Sequence, residues 1–437
     1  MTRHLIFLTV PGLRKKDLPH LPALSKIFET NSSIRLEHSF PSITWPAQAT
    51  MLTGSLPNEH GVVANGFYWR DERRVEMWTA LNKVIDRPQI WDVLKIRHEN
   101  ITSAAWFPML SKGCGADYVC MPAPIHKPNG SEELWCYTKP QPFYGELISK
   151  LGHFPLQHFW GPMANIKSSQ WIADSAVLAA RQFKPNFFYI YLPQLDYAAQ
   201  KFGPDSPQAI ASLQELNKLL DPFVDQIAEA YAGLPVDWLV ASEYVIREVN
   251  HVSFPNRILR NAGLLVVDRR EAGEQLDLAA SQAWALVDHQ FSHVFVRDAD
   301  PTVIGQVQRL FASEPGIAAT YTGTDRSSLG LDHARSGDVI LVSQPNSWQA
   351  YYWWLDDSAA PSFARTVDIH RKPGYDPVEL FFDPQTKSIP LRAELIHGSH
   401  GVIVPGEEQG MLLATWKIGK PILRDTEISE LVLSHFR

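Results

Sequence analysis

Cysteine is scarce in this chain, with only Cys114, Cys120 and Cys136 among 437 residues. An odd number without Cys-x-x-Cys spacing argues against a disulfide framework and against a structural zinc site. The expected location is therefore the cytoplasm. No run of about 18 apolar residues occurs, so no membrane span is expected. The apolar start MTRHLIFLTV is short, and Pro11, Gly12 and a charged stretch follow at once without a small-residue cleavage site. It reads as a buried first strand and not as an export signal. Positive charge is also in deficit, with 40 Lys and Arg against 47 Asp and Glu, a formal net charge of −7. That balance disfavours a general nucleic-acid or anionic-membrane surface and points to small molecules as partners. No internal repeat, low-complexity tract or long flexible linker is present. Nothing in the sequence sets the oligomeric state.

What the chain does have is apolar punctuation. Leu5 to Val10, Ile101 to Trp106, Phe187 to Leu192 and Trp238 to Ala241 are short apolar runs of the kind buried on both faces of a sheet. Ser168 to Gln182 and Gln208 to Ala230 have helical patterning and lie between the later runs. Strands alternating with helices predict an α/β fold with a mostly parallel central sheet and helices on both faces. Ligands bind such sheets at the carboxyl ends of the strands, here the loops after Val10, Leu192 and Ala241. From about Ser253 the elements shorten and turn signals multiply, as in Arg335-Ser336-Gly337-Asp338 and Lys372-Pro373-Gly374. Residues 255–390 are expected to form a smaller inserted α+β subdomain, a cap, between core segments 1–254 and 391–437.

Residues 39–66 read SFPSITWPAQATMLTGSLPNEHGVVANG. This stretch resembles the Pro-x-x-Thr-Phe-Pro…Thr-Gly-x-x-Pro-x-x-His-Gly-x-x-x-Asn run of type I phosphodiesterases and nucleotide pyrophosphatases, in the alkaline phosphatase superfamily. Similar segments follow in the family's order: IWDVLK at 90–95, YLPQLDYAAQKFGP at 191–204, NRILRNAGLL at 256–265, RSGDVI at 335–340 and GSHG at 398–401. The tail LRDTEISELVLSHF is similar to the family's last helix. The resemblance implies an alkaline-phosphatase-like fold. It also implies that Thr44 is a nucleophile at a helix amino end and that Asn65 holds phosphoryl oxygens. A helix amino terminus offers N–H groups and partial positive charge to an anionic centre. Taken alone, Thr44 could equally be a cap or turn hydroxyl and Asn65 a turn residue.

The family uses two zinc-like ions, and such a pair needs carboxylates and imidazoles at fixed places. Several of those places are altered. Pro11-Gly12 stands where the family has Asp-Gly. Asp196-x-x-x-Gln200 stands for Asp-x-x-x-His, and Ser242-Glu243-Tyr244-Val245 for Ser-Asp-His-Gly. Gly398-Ser399-His400-Gly401 retains its histidine. Asp196, Gln200, Glu243 and His400 remain as candidate ligands for one divalent ion (Mg, Mn or Zn) or none, and a two-metal centre is not expected.

Further candidates lie outside these motifs. His370, Arg371 and Lys372 could supply a cationic clamp for an anionic substrate, or be a solvated turn. Trp45 follows the presumed nucleophile and could line a leaving-group pocket, or be a buried core ring. His289, His293, His333 and His397 are read as structural. The expected function is that of a hydrolase or group transferase acting on a small anionic metabolite. Thr44 is its nucleophile, Asn65 the oxygen holder, and Glu243 and His400 serve as acid, base or ligand. Two other readings stay open: a catalytically silent ligand-binding protein, and a lyase or transferase of non-phosphorus chemistry on the same fold.

Overall fold

The computed structural model describes residues 3–28, 33–126 and 132–437. The first strand, His4–Thr9, is buried at every position, as its unbroken apolar run requires. It lies inside a nine-stranded sheet. The order is Ile422–Arg424, Ile34–Glu37, Met411–Ala414, Val236–Ala241, His4–Thr9, Phe187–Tyr191, Ser103–Trp106, Tyr118–Pro122 and Cys136–Lys139. The five strands from Val236–Ala241 to Tyr118–Pro122 run parallel, with Leu8 in register between Ile190 and Val240. Met411–Ala414 and Cys136–Lys139 flank them antiparallel. The four apolar runs seen in the sequence are four adjacent strands of this sheet, shifted by at most two residues at their ends.

Helices cover the sheet in two groups. Ile166–Phe183 packs on Pro207–Ala230, which packs on Gln194–Phe202, while Thr44–Thr53 and Ile90–Arg97 both meet the last helix, Ile428–His435. Their starts follow local rules. Asn165 accepts the Lys167 N–H and Ser206 accepts the Ala209 N–H, each satisfying a donor left open by the first turn. Pro207 occupies the first helical position, where a missing N–H costs nothing.

A second apolar core is built around Trp284, Phe295, Leu341, Tyr351, Trp353 and Trp354. It lies largely against an antiparallel sheet ordered Ala283–Asp288, Phe291–Val296, Val339–Ser343 and Ile317–Thr322. Ala283–Asp288 and Phe291–Val296 form a hairpin joined by only His289 and Gln290. This hairpin carries residues of the second unit into the loops at the carboxyl ends of the parallel strands.

Candidate active site

Thr44 is the first residue of the helix Thr44–Thr53, and the residue before it, Ile43, is extended. Pro46 sits in the first turn, where proline is tolerated. The Thr44 Oγ1 is 3.2 Å from the Tyr244 hydroxyl, which donates to Asp196 Oδ1 at 3.2 Å. Behind the helix start, Asn65 Oδ1 accepts the Trp45 N–H at 3.0 Å. The Asn65 side-chain amide donates to Asp288 Oδ1 at 3.1 Å, and its backbone N–H to Asp288 Oδ2 at 2.8 Å. Both ends of the Asn65 amide are thus engaged in fixing the helix amino terminus to Asp288.

The helix Gln194–Phe202 begins just after the strand Phe187–Tyr191 and places Asp196 and Gln200 one turn apart on one face. Gln200 Oε1 accepts the Tyr375 hydroxyl at 2.6 Å. Glu243 follows the strand Val236–Ala241 and is fully buried. Its Oε1 accepts Gln48 Nε2 at 2.9 Å, and Gln48 is fixed in turn by accepting the Met109 N–H at 2.7 Å. His400 follows the short strand Gly398–Ser399. A Cβ on Gly398 would collide with the Ala199 carbonyl, so only glycine lets this strand lie against the helix of Asp196. The Ser42 carbonyl accepts from His400 Nδ1 at 2.9 Å. Nε2 is therefore left with a bare lone pair, buried and without a partner, 3.9 Å from Asp196 Oδ1.

A column of rings fills the space beside these groups. Tyr244 stacks on His400 at 3.6 Å and 6°. His289 lies 3.9 Å from His400, and Tyr375 stacks on His289 at 3.7 Å and 12°. His289 occupies the hairpin tip with φ +53°, a conformation few non-glycine residues adopt. Its Nδ1 is 2.6 Å from Asp288 Oδ1. Sequence reading assigned His289 a structural role and did not single out Tyr375. The local signal available was an Asp-His pair in a two-residue turn, which shows nothing of its neighbours.

Burial dominates the electrostatics. It pushes the Asp196 carboxyl up to about 7, against the pull of Gln200 and Tyr244. It pushes Glu243 up to about 8 and Asp288 up to about 7. Burial also holds the His289 and His400 imidazoles well below their ordinary range and keeps Tyr244 a phenol. Among the described residues, none of the three acids is paired with a lysine or arginine. At neutral pH Glu243 is mostly a neutral acid and both imidazoles are uncharged.

A family model described as type I phosphodiesterase / nucleotide pyrophosphatase matches residues 5–376. The chain belongs to this family. Solved structures similar to it include phosphonoacetate hydrolase from Sinorhizobium meliloti 1021 in complex with phosphonoacetate. That chain is 15% identical, with a TM-score of 0.65 over 100% of this chain and 96% of that one. Murine ectonucleotide pyrophosphatase/phosphodiesterase 5 is 13% identical, with a TM-score of 0.62 over 99% and 95% of the two chains. Its human counterpart is 12% identical, with a TM-score of 0.64 over 99% and 95%. Comparison with curated proteins returns no match. The alkaline-phosphatase-like fold is thus shared with hydrolases over the whole chain.

Divalent metals are expected for the family, but the residues at the corresponding places of this chain do not assemble a pair of ion sites. Pro11 offers no ligand. Among the described residues, no three His, Cys, Asp or Glu side chains come together to hold an ion. Asp196 and His400 form a two-donor corner; Gln200 Oε1 is taken by Tyr375 and Glu243 Oε1 by Gln48. The Tyr244 hydroxyl lies between Thr44 and Asp196.

The remaining candidates are placed elsewhere. Trp45 is buried against Phe67 and Trp78, 5.7 Å from each ring. Arg371 is exposed and paired with Asp368. Lys372 is 1% exposed, 2.8 Å from Asp376 and 2.6 Å from Glu379. His370 Nδ1 is 3.1 Å from the Met77 carbonyl. His293 sits between the Val63 carbonyl and the Gly337 N–H, His333 lies beside Asp86, and His397 is exposed. No helix among the described residues is long and apolar enough to cross a membrane.

Proposed function

We propose that this protein hydrolyses or transfers a small phosphate ester or phosphonate, with Thr44 as the nucleophile. The observation carrying this reading is the Thr44 hydroxyl at the start of a buried helix, hydrogen-bonded to Tyr244 and through it to Asp196. An anion at that helix start meets the positive end of the helix dipole. Glu243, protonated at neutral pH, suits the role of a general acid, and the bare His400 Nε2 that of a proton acceptor. Asn65 acts by holding the helix start in place. The Asp196–His400 corner is the place for a single divalent ion, if one is bound. His370, Arg371 and Lys372 act in holding their loop.

Residues 255–390 are read as a cap over the core. The meeting of His289 and Tyr375 with His400 supports this. Three free, buried cysteines support a reducing compartment. The test is turnover of bis(p-nitrophenyl) phosphate and of a phosphonate ester by wild type and Thr44→Ala, with mass spectrometry for a phosphoryl group on Thr44. Full turnover by Thr44→Ala would remove the nucleophile assignment. The closed ring column favours one competing reading, a ligand holder without turnover. Tight binding of an unchanged phosphonate with no product would establish that reading.

A further inference from the structure

We infer that Tyr244 is a positioning residue that takes over, by hydrogen bonding, the alignment of the nucleophile that a metal ion provides elsewhere in the family. The inference rests on the reading of Thr44 as the nucleophile.

A phenol has one hydrogen to donate. The Tyr244 hydroxyl donates that hydrogen to Asp196 Oδ1, so its oxygen can only accept from Thr44. The Thr44 hydrogen is then directed at Tyr244, and both lone pairs of Oγ1 stay free for attack. The reverse arrangement would tie up one of those lone pairs. Tyr244 is itself held rigidly. It is 0% exposed, its ring lies parallel to His400, and its carbonyl accepts the Gly12 N–H at 3.0 Å. The last contact ties Tyr244 to the Pro11-Gly12 turn, where the family's first carboxylate is missing. Pro11 and Tyr244 therefore replace two ligands at adjoining places, and the hydroxyl of one of them lies between nucleophile and carboxylate. A fixed donor and acceptor pair orients a hydroxyl without the reorganisation that a free side chain would need.

The experiment uses the full chain stripped of metal and orthovanadate, a phosphoryl mimic, titrated by calorimetry. Wild type is expected to bind vanadate without added metal. Tyr244→Phe keeps the ring and its stack, and is expected to bind about tenfold more weakly, the order of one hydrogen bond. Its kcat on bis(p-nitrophenyl) phosphate should fall similarly, with KM and the thermal midpoint little changed. Asp196→Ala frees the Tyr244 hydroxyl to donate to Thr44, and a similar loss is expected. It serves as the second variant should Tyr244→Phe fold poorly. Vanadate binding by wild type only after zinc is added overturns the inference. Wild-type behaviour of Tyr244→Phe, while Thr44→Ala has lost binding, overturns it alone. Unchanged vanadate binding by Thr44→Ala removes the nucleophile reading and this inference together.

Discussion

The hydroxyl oxygens of Thr44 and Tyr244 lie 3.2 Å apart, although the residues are 200 positions apart in the chain. Only the sheet topology brings them together: the strand Val236–Ala241 pairs directly with His4–Thr9 and delivers Tyr244 to the loop side where the Thr44 helix begins. If Thr44 is the attacking group, Thr44→Ala is expected to lower kcat by about a thousandfold or more, as loss of a nucleophile does. Its unfolding midpoint in urea should stay close to wild type. Both are measured on the same preparation.

Asn65 holds three groups at once: the Trp45 N–H and both oxygens of Asp288. Asn65→Ala leaves a buried donor and a buried carboxyl short of partners. The expected loss of unfolding free energy is about 1–3 kcal/mol. Equilibrium denaturation in urea measures it.

Lys372 is a buried cation between two acids. Lys372→Met removes the charge and leaves Asp376 and Glu379 facing each other, at a cost of about 3–5 kcal/mol. A drop of many degrees in the thermal midpoint is the expected result. Arg371→Ala serves as the control, because its side chain is exposed, and should change the midpoint little.

The buried acids set a pH dependence of stability. Glu243 has a folded pKa of about 8, and Asp196 and Asp288 of about 7, against an unfolded value near 4. Between pH ~4 and ~8 the folded chain therefore holds more protons than the unfolded chain. Its stability is full below the unfolded pKa and falls as pH rises through the folded values. Glu243→Gln is expected to flatten this slope, by about 1.4 kcal/mol per pH unit over the affected window. Urea titrations at pH 5, 6, 7 and 8 test the sign; a slope rising with pH would contradict it.

Metal affinity should respond to the altered ligand places. The combined substitutions Pro11→Asp, Gln200→His, Glu243→Asp and Tyr244→His put the family's ligand types back. Zinc binding by calorimetry is expected to strengthen by at least about a hundredfold over wild type, on the order of an added ligand shell.

Much of the fold was legible because burial on both faces leaves a local mark. The runs around Leu5, Phe187 and Trp238 are strands for that reason, and Pro207 and Ser206 mark a helix start by themselves. Ile34–Glu37 carries no such mark, because only Leu36 in it is buried and its two neighbours come from the far end of the chain. The same holds within the site. Thr44, Asp196, Glu243 and His400 could be found because they sit in recognisable motifs. Tyr375 and His289 could not, since their importance lies in which rings they touch. Lys372 misled in the opposite direction: beside Pro-Gly it looks solvated, and only the return of Glu379 over the same loop explains its burial.

The column Tyr375, His289, His400 and Tyr244 has a mechanical consequence. One end, Tyr375, belongs to the chain beyond the hairpin, and the hydroxyl at the other end lies 3.2 Å from that of Thr44. The two end pairs are nearly parallel, while the two imidazoles between them meet at 49°, so the column bends at its middle. Tyr375, from the chain beyond the hairpin, and Tyr244, beside the Thr44 hydroxyl, are thus joined through two buried imidazoles, so the position of the one ring bears on that of the other.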